Sequence, residues 1–167
     1  MTAHKPAYRK IPLTQGQFAI VDATDYEWLM QWKWFAWRSS PIKHFYAVAH
    51  CKDDHNKMLR MHRVILGLGF GDKRLADHKE SEKTLDNRRS NLRIATNSQN
   101  SMNSRRRRIN KSGHKGISWR TDCAKWYVQI MVEGKNHYIG RFDNIKDARR
   151  AYKKTAPIYH GEFTRFA

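Results

Sequence analysis

Hydrophobic and polar residues alternate in short runs over the first third of the chain. "RKIPLTQGQFAIVDA" predicts two strands around a turn at Gln15-Gly16. "TDYEWLMQW" predicts a helix, with Thr24 and Glu27 at capping-box spacing and Tyr26, Leu29 and Met30 on its apolar face. "WKWFAW" and "HFYAVAHC" predict strands, and a short helix from Met61 to Leu68 is ended by glycines. The tryptophans fall inside these periodic segments and are assigned to the core.

The pattern changes at Asp77. Polar residues dominate up to "NLRIA", a short strand. Thr96 then opens a helix, with Gln99 three residues on as a second capping box. That helix runs towards Arg105, Arg106, Arg107 and Arg108, and "INKSGHK" follows as a basic boundary. From Lys115, "KGISWR", "KWYVQIM" and "KNHYIGRF" predict three strands, with Glu133-Gly134 in the last turn. A helix follows, capped by Asn144 with Asp147 at its third position. Its buried stripe is Ile145, Ala148, Tyr152 and Ala156, and Pro157 kinks or ends it. Strand alternation turns Ile117, Trp119, Trp126, Val128, Ile130, His137 and Ile139 towards that helix. It turns Ser118, Arg120, Tyr127, Gln129, Met131, Asn136 and Tyr138 the other way. The expected class is α+β.

Charge narrows the partner. The 167 residues hold 33 Lys+Arg against 15 Asp+Glu, a net charge of +18, and the pI is about 10.3. That excess concentrates polyanions at the surface and is hard to explain for an enzyme of neutral metabolites. Double-stranded DNA is the expected partner. A membrane is not, because no long basic amphipathic helix is present. Cys51 and Cys123 form no C-x-x-C pair, so a zinc ribbon is excluded and reduced thiols are expected. "MTAHKPAYRK" lacks the apolar stretch of a signal peptide, and no run approaches membrane-spanning length. An intracellular, cytoplasmic chain without a small-molecule cofactor is expected, as a monomer or weak dimer.

The polar stretch carries the candidate chemistry. Phosphodiester hydrolysis needs a base to deprotonate a water and a divalent cation to neutralise phosphate charge. Histidine titrates near neutrality, and a hard cation prefers carboxylate and amide oxygens. Asp77, His78, Asn91 and Asn100 supply these groups. In extended backbone, Asp77 and His78 point to opposite sides.

"MHRVILG" followed by "DHKESEKTLDNRRSNLRIATNSQNSMN" closely resembles the HNH nuclease family, in its variant with asparagine at the final position. The resemblance spans roughly Met61 to Asn103 and implies a ββα-metal (His-Me) finger. It implies His78 as general base, Asp77 and Asn100 as metal ligands, and Asn91 as the residue orienting His78. Mg²⁺ is the implied metal, with Mn²⁺ as alternative. His62 matches the upstream histidine and takes a supporting role. Asn87 matches a turn asparagine with a structural role, and Asn97 and Asn103 are the runners-up to Asn100. "IPLTQGQFAIVD" looks like the N-terminal region of phage-type HNH homing endonucleases.

Lys115 to about Gly161 resembles the Apetala-two / ethylene-response-factor domain of plant transcription factors, through "KGISWR", "KWYVQI", "YIGRF" and "DARRAY". That domain also occurs fused to HNH nucleases, and its sheet lies in the DNA major groove. The resemblance implies a DNA-reading face of Lys115, Ser118, Arg120, Gln129, Asn136 and Tyr138, with Arg105–Arg108 contacting phosphates. Arginine pairs with guanine and glutamine with adenine. The expected organisation is an α+β region over 1–60, the nuclease finger over 61–104, a basic linker over 105–114 and the DNA-binding domain over 115–167. The expected function is a metal-dependent, homing-type DNA endonuclease. The second reading is a non-catalytic DNA-binding regulator with a decayed finger.

Overall fold

The computed structural model describes residues 7–38, 40, 44–52, 54, 56–103 and 110–166. The chain divides into two units, Met1–Ala95 and Thr96–Ala167. The division falls inside the stretch 61–104 that the sequence resemblance treats as one finger. Arg105–Arg108 lie outside the described residues.

The first unit contains three small antiparallel sheets and two short helices. β1 (Tyr8–Pro12) pairs with β2 (Phe18–Asp22). Gln15 and Gly16 carry φ of 59° and 67° in the turn between them, as a tight hairpin of right-twisted strands requires. α1 spans Ala23–Leu29. Its N-cap is Asp22, not a residue before Thr24, and no side chain caps it. The expected Thr24–Glu27 box is therefore not formed. The helix starts directly off β2, which puts Thr24 inside the first turn, and Glu27 bonds Arg9 at 2.6 Å instead. Leu29 is fully buried, whereas Met30, expected beside it, is an exposed C-cap.

β3 (Phe35–Trp37), β4 (Tyr46–His50) and β5 (Met58–Arg60) form the second sheet in that order. α2 is shorter than expected, Met61–Ile65, because the chain leaves the helix at Leu66 and turns through Gly67. β6 (Leu75–His78) and β7 (Leu92–Ala95) make the third sheet. Ile11, Val21, Leu29, Trp34, Met61 and Leu92 share the core, so elements from all three sheets close on one apolar centre. Trp34 is buried and donates its indole N–H to the Leu29 carbonyl, as a buried indole must do with some acceptor.

The second unit opens with α3 (Asn97–Asn103). Here the expected capping box is present. Thr96 N–H donates to Gln99 Oε1 at 2.9 Å, and Gln99 N–H donates to Thr96 Oγ1 at 3.2 Å. β8 (Ile117–Arg120), β9 (Lys125–Val132) and β10 (Lys135–Phe142) form one antiparallel sheet with β9 in the middle. α4 (Ile145–His160) packs across it. Asn144 caps α4 by accepting from Asp147 N–H. Val128, Ile130, Ala148, Tyr152 and Ala156 are the core. Pro157 sits inside α4, which continues to His160, so it does not end the helix. Gly116 (φ 70°) is required: a Cβ there would lie 2.4 Å from the Tyr152 ring and 2.6 Å from the Gln129 carbonyl.

Two face assignments change. Trp119 is exposed and meets Trp126 edge-on, with centroids 5.1 Å apart, so it lies outside the core. A bulge at Ile139 shifts the register between Tyr138 and Gly140. Arg141 is thereby placed opposite Tyr127, which is itself opposite Ser118. Residues directly opposite share a face, so Arg141 joins the outer set that simple alternation had denied it.

Candidate functional site

β6 delivers Asp77 and His78 to the end of a two-stranded hairpin, and both side chains are buried, at 7% and 5% exposure. The polar stretch between β6 and β7 is anchored over its length. Ile20 N–H donates to the Leu85 carbonyl at 2.8 Å, and Asn87 N–H donates to the Ile20 carbonyl at 2.7 Å. Thr84 Oγ1 donates to the Phe45 carbonyl at 2.5 Å. Arg89 donates to both oxygens of Asp25 at 2.9 Å, and its backbone N–H donates to Asp22 Oδ2 at 2.8 Å. Sequence that is polar almost throughout is thus fixed to β2, β4's approach and α1 by backbone and ion-pair contacts.

His78 meets Asn87, not Asn91. Its Nε2 lies 3.3 Å from Asn87 Oδ1. The Asn87 amide donates from Nδ2 to the Leu85 carbonyl at 3.2 Å, which fixes Oδ1 towards the histidine. A carboxamide oxygen only accepts, so His78 Nε2 carries the proton and Nδ1 is the ring's acceptor. The expectation that Asn91 orients His78 is therefore corrected. Asn91 clamps the loop: its Oδ1 accepts from Glu80 N–H at 3.0 Å, and its Nδ2 donates to the Asp86 carbonyl at 2.8 Å and to the Lys83 carbonyl at 3.4 Å. Asn87, expected to be a plain turn residue, is the one in contact. No sequence signal separates the two asparagines. Their roles are set by the long-range bridge from Ile20 to Leu85 and Asn87.

His62 is more than a bystander. Its ring stands edge-on to His78 with centroids 5.0 Å apart, and Tyr46 lies 5.8 Å from His62 and 6.2 Å from His78. Burial lowers the His62 pKa to about 3, reinforced by His78, Arg60 and Arg63. Burial also lowers the His78 pKa, opposed by the Asn87 hydrogen bond and by the Asp77 and Asp86 charges. Both rings are neutral at pH 7, and His78 is in the form that accepts a proton.

Asp77 stands directly across the hairpin from Arg93. Arg93 donates from Nε at 3.0 Å and from Nη2 at 2.9 Å, both to Asp77 Oδ2, and both side chains are buried. This is a carboxylate built to have a cation beside it, which fits the donor chemistry of a hard metal ion. Among the described residues, no group of three or more His, Cys, Asp and Glu side chains is placed to hold a metal. Asn100 lies on α3 in the second unit and is exposed, as is Asn97, while Asn103 is buried.

On the C-terminal sheet the outer face carries Ser118, Arg120, Asn136, Met131, Tyr138 and Arg141, all exposed, with Gln129 half-buried. Tyr127 and Tyr138 pair at 4.9 Å between centroids, and the Arg120 guanidinium lies 5.2 Å from the Tyr127 ring centre. Lys115 does not belong to this face. Its ammonium donates to the carbonyls of Ser101 and Met102, capping the last turn of α3, and burial with nearby Arg165 lowers its pKa to about 8. Arg141 is the residue that sequence reasoning missed, because a bulge has no reliable mark in the pattern.

The chain is 34% identical over 76 residues to "Protein 3.8" of Escherichia phage T7, a match covering 46% of this chain and 62% of that protein. The match thus spans about three-fifths of that relative's length. No protein-family model matches the chain, and no solved structure matches it. Among the described residues, no helix is long and apolar enough to cross a membrane.

Proposed function

We propose that this chain is a metal-dependent DNA endonuclease of homing type. The observation that carries the reading is His78: buried, neutral, and held at Nε2 by Asn87, beside the buried carboxylate of Asp77. In this proposal His78 Nδ1 takes the proton of a water that attacks the phosphorus, and the 3′ oxygen leaves. A divalent cation, Mg²⁺ or Mn²⁺, would be held by Asp77 with Asn100 as the second donor, neutralising charge on the phosphate. Asn91 keeps the loop in shape, and Asn87 and His62 fix the ring of His78. The outer face of the β8–β10 sheet binds double-stranded DNA in the major groove, with Arg120, Arg141 and Gln129 able to bond base edges. A net charge of +18 supports a polyanionic partner, and the match to a phage protein is consistent with a phage-infected cell.

One observation favours the second reading, a non-catalytic DNA-binding regulator: Asp77 is already neutralised by Arg93. Nicking of supercoiled plasmid in Mg²⁺ or Mn²⁺ separates the two. Wild type is expected to nick, and His78→Ala to lose at least about a hundredfold in rate with DNA affinity unchanged within about twofold. Equal cleavage by both proteins, or none by wild type in either metal, removes the catalytic assignment.

A further inference from the structure

Arg93 makes the Asp77 site self-contradictory if the protein is taken alone. Both of its bonding nitrogens sit on the one oxygen Oδ2, at 2.9 and 3.0 Å, in a buried cross-strand pair. A divalent ion bound to that oxygen would lie beside a guanidinium that stays charged at any working pH. Two cations at such spacing, shielded from water, repel strongly. The carboxylate can therefore serve one of them at a time. A buried guanidinium that gives up its carboxylate needs another anion, because an unpaired buried charge is strongly unfavourable. Guanidinium geometry matches phosphate as well as carboxylate, by two parallel N–H donors. Arginine's unbranched stem lets the head re-aim while the β7 backbone stays paired with β6.

We infer that Arg93 holds the cation position at Asp77 in the DNA-free protein and passes to a backbone phosphate when DNA binds, so that metal binding at Asp77 and DNA binding are positively coupled. The inference rests on the nuclease reading above and adds a control to it. The free protein has weak metal affinity and does not hold a loaded metal–base site away from its substrate. The coupling is reciprocal, so the metal also tightens DNA binding by the same factor.

The test is Mn²⁺ binding to the full chain, followed by the electron paramagnetic resonance of free Mn²⁺, with and without a short duplex. Asp77→Asn and duplex alone define the background. Wild type is expected to gain about tenfold in Asp77-dependent affinity when duplex is added. Arg93→Gln should bind Mn²⁺ about tenfold more tightly than wild type without DNA, and duplex should then add less than about twofold. If Arg93→Gln is too unstable to titrate, Mn²⁺ should raise its melting temperature more than it raises that of wild type, since the ion replaces the lost cation. Failure of Mn²⁺ to do so, or Asp77-dependent binding that is indifferent to Arg93 and to DNA, overturns the coupling and leaves the nuclease reading standing. Mn²⁺ binding equal in Asp77→Asn and wild type under all conditions overturns both.

Discussion

The two units handle polar residues in opposite ways. In the first, His62, Asp77, His78, Asn87, Asn91 and Arg93 are all buried, and their side chains contact one another or the backbone of the loop they stabilise. In the second, Ser118, Arg120, Asn136, Tyr138 and Arg141 project from a sheet whose other side packs on α4. Buried polar groups must find partners, so each becomes part of the fold. Exposed ones are satisfied by water and can be exchanged with little effect on stability. A reaction centre needs the first arrangement, because a base has to be held in one tautomer and one orientation. A docking face needs the second, because its groups must be available to a partner.

The sharpest way to break this contrast is to cut one asparagine from each region. Asn91→Ala removes three hydrogen bonds and leaves the Glu80 N–H and the Asp86 carbonyl without their partner. The expected loss is about 3–4 kcal/mol in the first unit's unfolding free energy. Asn136→Ala on the exposed sheet should change stability by less than about 0.5 kcal/mol. Urea unfolding followed by tryptophan fluorescence measures both, and similar losses at the two sites would dissolve the distinction.

Acid comes next in size. The His62 pKa is about 3 in the fold and about 6.5 in an unfolded chain. Below pH 6.5 the unfolded state takes up a proton that the folded state refuses, so stability falls as pH drops from 6.5 towards 3. Between pH 6.5 and 4.5 the expected loss from His62 is about 2–3 kcal/mol. His78, also lowered, adds in the same direction. His62→Leu should flatten this dependence for the first unit. A dependence of equal steepness in that variant would mean that another group carries it.

How much of this was legible in the sequence follows from the range of the interactions. The Thr96–Gln99 box is local, spans three residues and formed as expected. The same spacing at Thr24–Glu27 failed because α1 begins at Ala23, directly after β2, and Glu27 is drawn to Arg9. The buried side of β9 followed from alternation at Val128 and Ile130. β10 escaped it at the Ile139 bulge, and everything after the bulge changed face. The asparagines of the polar stretch were visible as a set, but their division of labour depends on contacts with Ile20, some seventy residues away in sequence. The arginines of "NRRSN" pointed to phosphate by charge alone, yet Arg88 pairs with Asp86 and Arg89 with Asp25. Sequence charge does not tell a cation used inside the fold from one offered to a partner.

Lys115 and Arg141 turn that last point into a test within one unit. Lys115, expected to contact DNA, donates to the carbonyls at the end of α3. Lys115→Met keeps the apolar stem and removes the cap, so the second unit should lose about 1 kcal/mol in stability, with DNA affinity falling by less than about twofold.

Arg141→Ala should do the reverse, with the smallest effect on the fold. The side chain is exposed on the outer sheet face and supports no core contact, so stability should stay within about 0.5 kcal/mol of wild type. If the guanidinium reaches DNA, affinity should fall by about 1 kcal/mol, roughly fivefold. A phosphate contact would also lower the salt slope of binding by about 1, uniformly across sequences, whereas a base contact would relax selectivity at one position. Fluorescence anisotropy on duplexes of varied sequence, repeated over a salt series, distinguishes these outcomes. If Arg141→Ala binds like wild type while Lys115→Met binds more weakly, the outer sheet face is not the docking surface and the bulge at Ile139 has no part in recognition.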